Sequence, residues 1–332
     1  MVAHPPSAGC PEPNVGQHFL ASSEDVDQQA SLLRGWNQSY AQMSAGRFFG
    51  TVSEVLLKDG RIFSEFTGQT LLQSGVLPPN LIAIGLPTEM RGRAVFCGME
   101  DHPEALHVFS GTNGFEFYSP SELTMAGLVV PREALSSLLS ETEREHYLTN
   151  FGSARLARVD AKAATMMRGF VKGVLELAET APHLLQNAAI MATLYGGLLS
   201  NVAAVMDASS DLAPDQIGPA RRWAVVAQAR EAVLSRPDSP TSIAELCRIV
   251  GVCRRTLQYC FHDVLNISPA AFLRAVRLNG VRRMMRVAPS VTEAAAHWGF
   301  WHFGHFARDY SAMFGELPSQ THRRFHARRT NA

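Results

Sequence analysis

The spacing of hydrophobic residues separates a region of predicted strands from regions of predicted helices. Between residues 47 and 130, short runs rich in β-branched and aromatic residues alternate with turn residues, which is typical of β-strands. Asp59 and Gly60 form an Asp-Gly pair between two alternating runs and predict a hairpin. About eight short strands with such regular punctuation predict a β-barrel or jelly-roll.

Helices are predicted on both sides of this β-region. Before it, apolar residues at helical spacing predict a helix over 27–43, with one side formed by Leu32, Leu33, Trp36 and Tyr40. After it, helices are predicted over 131–140, 160–179 and 182–206. The helix over 182–206 is apolar nearly all round, so it is expected to pack on two sides. One side would face the β-region, and the other would face either the same chain or a second copy of it.

In the last third of the chain, a short helix, a glycine and a second helix follow one another. Ser242 and Glu245 stand three residues apart ahead of an apolar run, which is the spacing of a capping box at a helix start. Gly251 supplies the turn, because glycine adopts a positive φ at little cost. The second helix is predicted over 253–263, with a buried side formed by Leu257, Cys260, Phe261 and Val264.

The same arrangement is repeated further along the chain. Ser290 and Glu293 have the capping-box spacing, and Gly299 supplies the turn. The helix that follows is predicted to bury Phe303, Phe306, Tyr310 and Phe314. A connecting helix over 269–287 joins the two copies, and its basic outer side carries Arg274, Arg277, Arg282, Arg283 and Arg286.

This doubled pattern predicts two helix-turn-helix units, whose second helices enter the major groove of DNA. Side chains opposite the buried sides are candidates for base contacts, because arginine and glutamine can form bidentate bonds to guanine and adenine edges. The candidates for base contacts are Arg255, Gln258, Tyr259, His302, His305 and Arg308. The candidates for phosphate contacts are Arg254 and Arg283.

The distribution of charge agrees with DNA binding. The formal net charge is zero, but residues 219–332 contain 17 Arg, no Lys and 7 acidic residues, a balance of +10. The preceding part of the chain carries 13 basic and 23 acidic groups, a balance of −10. A basic C-terminal third is what a phosphate-binding module needs.

Cysteine usage and the N-terminal sequence predict a cytoplasmic protein. The chain has five cysteines, an odd number without paired spacing, as expected for free thiols in a reducing compartment. The N-terminus lacks a cationic stretch followed by an apolar core, so no signal peptide is predicted. No apolar run approaches the ~18–20 residues of a membrane span, so no contact with a membrane is predicted.

An enzyme is the main alternative to a DNA-binding protein. A jelly-roll can hold a catalytic metal, typically through two histidines and a carboxylate on facing strands. The β-region contains only His102 and His107, and these do not form a His-x-His motif. The sequence also has no Walker loop, dinucleotide fingerprint or Gly-x-Ser-x-Gly elbow. We therefore predict neither a catalytic site nor a metal site.

Residues 219–326 resemble the DNA-binding domain of the AraC/XylS family of bacterial transcription regulators. The more specific match is GFWHFGHFARDYSAMFGELPSQTHRR, in which Arg308, Tyr310 and Pro318-Ser319 stand at positions of the family signature. The resemblance implies a cupin-like N-terminal effector domain, with promoter DNA and RNA polymerase as partners. GWNQSYAQMSAGRFFGTVSEVLLKDGRIFSEFTG, RRTLQYCF, RLNGVRR and HWGFWHFGHFARDY also resemble regulators of ethanolamine-utilisation operons. That second resemblance implies ethanolamine with a cobalamin cofactor as the effector.

The sequence thus predicts an α+β chain with four parts: a disordered N-terminus (1–25), an effector-sensing β-barrel with helices (26–207), a linker (208–218) and an all-α DNA-binding domain with two helix-turn-helix units (219–332). The outer side of the last helix in the second part packs either on the same chain or on a second copy. The predicted function is sequence-specific DNA binding by an effector-responsive activator of a catabolic operon. The alternatives are a cupin-like enzyme domain tethered to a DNA-binding module, a repressor, and an architectural DNA binder.

Overall fold

The N-terminal domain of the computed structural model is built from antiparallel β-strands. The structure describes residues 15–330, apart from 103, 111–113, 138, 140–143, 145–151, 212–216 and 236–240. In chain order the strands are β1 (His18–Ser23), β2 (Asn37–Gln42), β3 (Gly50–Leu57), β4 (Gly60–Thr67), β5 (Leu71–Val76), β6 (Leu81–Glu89), β7 (Val95–Phe96), β8 (Met99–Glu100), β9 (Ala105–Phe109), β10 (Phe115–Ser119), β11 (Leu123–Pro131), β12 (Arg155–Val159) and β13 (Ser209–Asp211).

These strands form two sheets. Within the described residues, the large sheet has eight strands in the order β1-β3-β4-β11-β6-β9-β12-β13, and the small sheet has five in the order β2-β5-β10-β7-β8. Leu57 at the end of β3 pairs with Gly60 at the start of β4, which confirms the predicted Asp-Gly hairpin. The predicted class of mixed α and β structure, with N-terminal sheets and C-terminal helices, is confirmed.

An aromatic core lies between the two sheets. The rings that meet there are Trp36, Phe63, Phe96, Phe109, Phe115 and Phe117. Trp36 meets its neighbours edge to face, with ring centroids 5.1 Å from Phe109 and 5.8 Å from Phe115. Because successive residues of a strand point to opposite faces, Phe63 faces this core whereas Ile62 faces the other side of the large sheet.

Helices come before and after the main run of strands in this domain. They are α1 (Val26–Leu32), α2 (Arg132–Ser136), α3 (Ala161–Thr180), a short 3₁₀ helix (Pro182–Gln186) and α4 (Ala188–Asp207). The helices α3 and α4 cover the outer face of the large sheet and share its second hydrophobic core. The predicted helices over 160–179 and 182–206 are therefore confirmed, with a 3₁₀ turn at the start of the second.

The helix α4 is buried on one side and open on the other. Leu198, Val202 and Val205 are buried in the core that α4 shares with the large sheet, whereas Ala192 and Ser200 are exposed. Among the described helices, α4 is the one long and apolar enough to cross a membrane, although apolar runs had predicted no such segment. Length and composition cannot distinguish a span from the core helix of a folded domain, and here the buried side packs on a sheet.

The prediction of a helix over 27–43 was wrong beyond its first turns. The helix α1 ends at Leu32, and the chain then enters β2 of the small sheet. Gly35 has a φ of +74°, a conformation that is favourable for glycine and incompatible with helix continuation. Within β2, Tyr40 and Gln42 alternate with less buried neighbours, so the spacing that resembled a helical stripe belongs partly to a strand.

Two segments predicted to lack regular structure contribute strands instead. Residues 18–23 form the edge strand β1, which pairs with β3 through backbone hydrogen bonds that composition does not reveal. Residues 1–14 of the predicted disordered segment lie outside the described residues. The predicted linker over 208–218 contains β13, which pairs with β12, and its residues 212–216 also lie outside the described residues.

The C-terminal domain is made of helices. They are α5 (Ile217–Leu234), α6 (Ile243–Val250), α7 (Arg254–Leu265), α8 (Pro269–Met284), α9 (Val291–His297), α10 (Phe303–Phe314) and α11 (Pro318–Thr330). Phe261 and Phe272 meet edge to face in its core at 5.0 Å between ring centroids. Gly280 allows α8 and α9 to approach closely, because a Cβ at this position would lie 2.2 Å from the Trp298 ring.

The C-terminal domain packs on the outer face of the small sheet. Leu72 and Val95 of that sheet belong to the same hydrophobic cluster as Trp223 of α5. The hydroxyl of Tyr118 on β10 donates a hydrogen bond to the backbone carbonyl of Leu265, at the end of α7, at 3.0 Å. On the N-terminal side this interface is therefore formed by the small sheet, and on the C-terminal side it includes α7.

Candidate nucleic-acid interface

The first helix-turn-helix unit consists of α6 and α7. The hydroxyl of Ser242 accepts a hydrogen bond from the backbone N–H of Glu245 at 3.2 Å, as a capping residue does at a helix start. Gly251 ends α6 with a φ of +72°, in the left-handed region that favours glycine. On α7, the predicted buried residues Leu257, Cys260, Phe261 and Val264 are all buried. The unit predicted from sequence is confirmed in its helices, turn and buried side.

The exposed side of α7 carries the predicted base-contact residues. Arg255 and Gln258 are exposed, and Tyr259 is 58% exposed. The guanidinium of Arg222 on α5 lies 5.8 Å from the centre of the Tyr259 ring, which limits the directions this ring can take. Arg254 is exposed at the first turn of α7. These four side chains share one solvent-facing end of the helix, where both base edges and phosphates could be reached.

The second unit consists of α9 and α10. The hydroxyl of Ser290 accepts a hydrogen bond from the backbone N–H of Glu293 at 3.1 Å, and Gly299 has a φ of +77°. On α10, Phe306, Tyr310 and Phe314 are buried as predicted. His302, His305 and Arg308 are exposed. Arg308 Nη2 lies 3.1 Å from His305 Nδ1, so these two side chains meet on the outer surface.

Phe303 is not part of the buried stripe that its spacing predicted. Its side chain is 43% exposed, and that of the nearby Trp301 is 69% exposed. Phe303 is the first residue of α10, so the core beneath Phe306 does not extend as far as its ring. Sequence reasoning missed Trp301 altogether, although aromatic residues are dense in the stretch FWHFGHF. An exposed ring beside His302 can contact thymine methyl groups or sugars in a groove.

The connecting helix α8 is less exposed than predicted. Its inward residues Phe272, Val276 and Leu278 are buried as expected, but Arg282 is also buried, with only 4% of its surface exposed. The prediction of a fully solvated basic side was wrong because the N-terminal domain covers this part of α8. Arg274 remains exposed and lies 3.6 Å from Asp309 of α10.

Two aspartates at the start of α1 pair with three arginines at the end of α8 and just beyond it. Asp25 Oδ2 lies 3.2 Å from Arg282 Nε, and Asp25 Oδ1 lies 2.8 Å from Arg286 Nη2. Arg283 Nε donates to Asp27 Oδ1 at 2.9 Å. Burial opposes ionisation of Asp25, but the guanidinium groups of Arg282 and Arg286 prevail and lower the pKa of this carboxyl. We name Asp25, Asp27, Arg282, Arg283 and Arg286 the acidic latch.

The latch engages Arg283, one of the two predicted phosphate contacts. Besides its pairing with Asp27, Arg283 Nη2 donates to the backbone carbonyl of Tyr40 on β2 at 2.5 Å. Its side chain is still 30% exposed. In this conformation a phosphate would have to compete with Asp27 for the guanidinium. The other predicted phosphate contact, Arg254, lies outside the latch and has an exposed side chain.

Cysteines and histidines near the two units have distinct surroundings. Cys253 precedes α7 and is exposed, with Sγ 3.2 Å from the Thr256 hydroxyl. Hydrogen bonds from that hydroxyl and from nearby backbone N–H groups lower the pKa of the Cys253 thiol. Cys260 is buried in the core.

The rings of His302 and His305 are 6.3 Å apart, and the described residues contain no group of three or more metal-ligand side chains.

His107 of the β-region is paired with an acid. His107 Nε2 lies 2.9 Å from Asp101 Oδ2, and both side chains are fully buried. The His107 ring contacts Phe96 and Phe117 edge to face, at centroid distances of 4.9 and 5.0 Å. The pair therefore belongs to the wall of the aromatic core.

Known proteins are similar to the C-terminal part of this chain. Residues 246–324 match the family model described as a helix-turn-helix domain. A probable thc operon regulatory protein of Rhodococcus erythropolis is 38% identical over 87 residues, which is 25% of this chain and 26% of that protein. The XylDLEGF operon transcriptional activator 1 of Pseudomonas putida is 36% identical over 87 residues, with the same shares of the two chains. The chain thus aligns with about a quarter of the length of these curated relatives.

A solved structure is similar over the same region. A probable AraC family transcriptional regulator from Rhodopseudomonas palustris is 36% identical over 30% of this chain and 96% of that chain, with a TM-score of 0.29. Together with the two helix-turn-helix units described above, the family match defines the C-terminal domain as a DNA-binding domain. More particularly, residues 246–324 match the family model described as a helix-turn-helix domain, which spans both units.

Proposed function

We propose that the whole chain is a sequence-specific transcription regulator that activates a catabolic operon in response to a small effector. The observation that carries this proposal is that both second helices, α7 and α10, expose polar side chains opposite a buried apolar side. Arg255 and Gln258 on the first helix, and His305 and Arg308 on the second, have the hydrogen-bonding groups that read base edges. The balance of +10 in residues 219–332 supplies attraction for phosphates.

In this proposal the base contacts are made by Arg255, Gln258, Tyr259, His302, His305 and Arg308, and the phosphate contacts by Arg254 and Arg283. Arg283 would reach a phosphate after leaving Asp27. The N-terminal sandwich would bind the effector, and the acidic latch gives it direct contact with α8. The resemblance to ethanolamine-operon regulators supports ethanolamine, with cobalamin, as one candidate effector.

The proposed function implies further partners and a cellular compartment. We propose RNA polymerase as the partner of the activator at its promoter and the cytoplasm as its compartment. A homodimer through the outward side of α4 is supported by the small exposed side chains there, which include Ala188, Ala192 and Ser200. The competing arrangement is a monomer with that side left in solvent. Sedimentation at micromolar concentration distinguishes these two states.

Selection of bound duplexes from a random pool, with the full chain as bait, tests the proposal. We expect enrichment of one site with two subsites, and binding that weakens steeply as salt rises because neutralised phosphates release counterions. The double variant Arg255→Ala with Arg308→Ala should lose the enrichment. Arg91→Ala is the matched control, because Arg91 is an exposed arginine of the N-terminal domain and lies outside both units. Equal recovery of all sequences would indicate that the chain is an architectural DNA binder without sequence preference.

A further inference from the structure

The turn between α9 and α10 exposes two large aromatic side chains. Trp301 is 69% exposed and Phe303 is 43% exposed. Among the described residues, only two further aromatic side chains, Phe49 and Tyr259, are as open to solvent. Most of the exposed aromatic surface therefore belongs to the two helix-turn-helix units. Trp301 and Phe303 are one residue apart, and exposed apolar side chains that occur together, unlike scattered single ones, mark a contact with another molecule.

The backbone around these two rings is fixed by the core of the second unit. The N–H of Phe300 donates to the carbonyl of Ala295 at 2.9 Å, and the Phe300 ring lies 5.2 Å from that of Phe306. The N–H of Phe306 donates to the carbonyl of His302 at 3.0 Å. Trp301 therefore lies between two anchored residues. A surface that is already in place loses little conformational freedom when it binds a partner.

Gly304 leaves open space beside these rings that the fold does not require. A Cβ at this position would have no described atom within 4 Å, apart from those of its chain neighbours and the backbone of α10. Gly304 also lacks the positive φ that explains Gly299 in the preceding turn. Glycine in a helix is less stable than alanine, because it loses more conformational freedom on folding. The open backbone at Gly304 therefore suits the close approach of another molecule.

The position and the charge of this surface favour DNA over a protein as the partner. In helix-turn-helix proteins, the N-terminal residues of the second helix contact base edges in the major groove. Phe303 and Gly304 begin α10, and Trp301 lies two residues before it. The stretch 298–308 contains two histidines and one arginine but no acidic residue. Such a surface is attracted to the phosphates on either side of a groove.

The chemistry of this surface matches one base. In the major groove, thymine presents a C5-methyl group beside the acceptor O4, whereas cytosine presents a donor and the purines have no methyl group. Arg308 Nη2 lies 3.1 Å from His305 Nδ1, and since arginine only donates, Nδ1 is the acceptor of this pair. In the neutral His305 ring the proton then lies on Nε2. The exposed rings thus suit the methyl group, and the Nε2–H of His305 suits O4.

We propose that Trp301 and Phe303 contact the methyl groups of thymines in the subsite of the second unit, while the Nε2–H of His305 donates to a thymine O4. The inference rests on the proposed sequence-specific DNA binding and specifies the base that the second unit prefers. It makes Trp301 a specificity-determining residue, although its ring forms no bidentate bond to a base. The second unit thus reads DNA partly by apolar contact.

Exchange of thymine for deoxyuridine in the selected DNA site tests the methyl contact, because uracil keeps O4 and the base pair and lacks only the methyl group. The second subsite is the one whose base preference is lost in Arg308→Ala. There, deoxyuridine in place of a contacted thymine should weaken binding of the full chain about threefold to fivefold, as burial of one methyl group predicts. Deoxyuridine outside both subsites is the control and should leave affinity unchanged. A second subsite without thymine, or full affinity for its deoxyuridine form, would overturn the proposal.

Two variants assign the methyl contact to the rings. Trp301→Ala and Phe303→Ala should weaken binding to thymine DNA, and deoxyuridine should then cause little further loss, because the two changes remove the same contact. Phe49→Ala is the matched control, because Phe49 is a phenylalanine of the N-terminal domain with a similar exposure of 48%. It should respond to deoxyuridine as the unaltered chain does.

Two results of the same measurements would contradict the proposal. If the ring variants lost affinity but kept the full response to deoxyuridine, the rings would contact sugars instead of methyl groups. If the variants bound both DNA forms as the unaltered chain does, the exposed rings would belong to a surface for a protein partner.

A second base analogue tests the hydrogen bond from His305. In 4-thiothymine the methyl group remains, but O4 is replaced by sulfur, a weaker acceptor. At the thymine contacted by His305, this analogue should weaken binding of the unaltered chain and have little effect on His305→Ala. Equal losses in the two proteins would remove His305 from the contact.

Gly304→Ala tests the close approach of α10 to the bases. Alanine stabilises a helix relative to glycine, so the midpoint of thermal unfolding should stay the same or rise. Affinity for the selected site should nevertheless fall, because the added methyl group would separate α10 from the DNA. Unchanged affinity would contradict a close approach at the rings.

The selection from random duplexes separates this inference from the function on which it rests. If one site is enriched but deoxyuridine in its second subsite has no effect, the thymine contact is wrong and sequence-specific binding remains. If no sequence is enriched, the proposed function fails and this inference fails with it. If a site is enriched and its response to deoxyuridine depends on Trp301 and Phe303, both are supported.

Discussion

Gln42 of β2 and Asn279 of α8 bond each other reciprocally across the domain boundary. The backbone N–H of Gln42 donates to Asn279 Oδ1 at 3.0 Å, and Asn279 Nδ2 donates to the Gln42 carbonyl at 2.8 Å. The Gln42 side chain also donates to the carbonyl of Met313 on α10 at 2.7 Å. One strand of the small sheet thus contacts both the connecting helix and the second helix of the second unit. Any displacement of β2 changes the position of both.

We predict that Asn279→Ala loosens the contact between the domains. The substitution leaves the N–H and carbonyl of Gln42 buried and unpaired, at a cost of about 1–3 kcal/mol for each group that finds no water. Amide hydrogen exchange at Gln42 should then become faster while the core of the large sheet stays protected. Asn201→Ala is the control, because Asn201 donates to the carbonyl of Gly197 within α4 and, among the described residues, to no group of the C-terminal domain. Unchanged exchange at Gln42 would show that hydrophobic packing alone holds the domains.

We predict that Asp27→Asn increases affinity for DNA. Asp27 pairs with Arg283 at 2.9 Å and with Arg286 at 3.4 Å, and both arginines are partly exposed. Partly exposed pairs of this kind contribute about 0.3–1 kcal/mol, so DNA affinity should rise about twofold to fivefold. Asp59→Asn removes the same charge from the β3–β4 hairpin and serves as the control for net charge. Equal gains in the two variants would mean that the latch does not restrain α8.

The helix-turn-helix units could be predicted from sequence because their signals are local. Ser242 caps a backbone N–H three residues away, and Gly251 adopts a positive φ that few other residues tolerate. The buried side of α7 follows from helical periodicity alone. Each signal is complete within one turn of helix, so it does not depend on the rest of the fold.

The latch could not be predicted because its partners are far apart in the sequence. Asp25 and Arg282 are separated by 257 positions, and nothing near either residue indicates the other. Arginines at helical spacing on α8 were therefore interpreted as a solvated side. The same limit applies to the buried Glu65 of β4, because its neighbours Gln29 and Tyr40 come from other elements and are distant in the sequence. The amino-acid composition of residues 18–23 did not predict β1 either, because this strand is held to β3 by backbone hydrogen bonds.

We predict that Arg255→Ala and Gln258→Ala relax sequence preference at particular base pairs. Both side chains are exposed on α7, where a lost bidentate base contact costs about 1–3 kcal/mol. Arg254→Ala should instead weaken binding to all sequences about equally, because phosphate contacts carry no sequence information. Binding to a panel of single-base variants of the selected site distinguishes the two effects. If Arg254→Ala altered the preferred sequence and Arg255→Ala did not, the assigned roles would be reversed.

We predict that Cys253 is the most reactive described cysteine towards iodoacetamide. The thiolate is the reacting form, and hydrogen bonds from Thr256 lower the pKa of this exposed thiol. Burial raises the pKa of the Cys97 thiol to about 12 and also raises that of Cys260. Peptide mapping after brief labelling near pH 7 should find the label mainly on Cys253. DNA bound in advance should protect it, since Cys253 directly precedes α7, and Cys253→Ser provides the unlabelled control.

We predict that the two units read two subsites whose spacing is fixed by the connecting helix. The 16 residues of α8 span about 24 Å as a helix, and their inward side is packed against both units. Such a rigid connection requires subsites about one helical turn apart, roughly 10–10.5 base pairs, on the same side of the duplex. Inserting about 5 base pairs between them would rotate one subsite to the far side. Binding measured by gel shift should then fall to the level of a single subsite.

Insertion of a full turn, about 10 base pairs, is the control for this experiment, because it restores the side of the duplex but doubles the distance. The connecting helix cannot stretch, so this insertion should also reduce binding to the single-subsite level. Phe303 and Gly304 offer no hydrogen bonds to base edges from α10, so mutations in the second subsite should cost less than those in the first. If binding were indifferent to both insertions, only one unit would contact DNA, and the other would serve to support the fold.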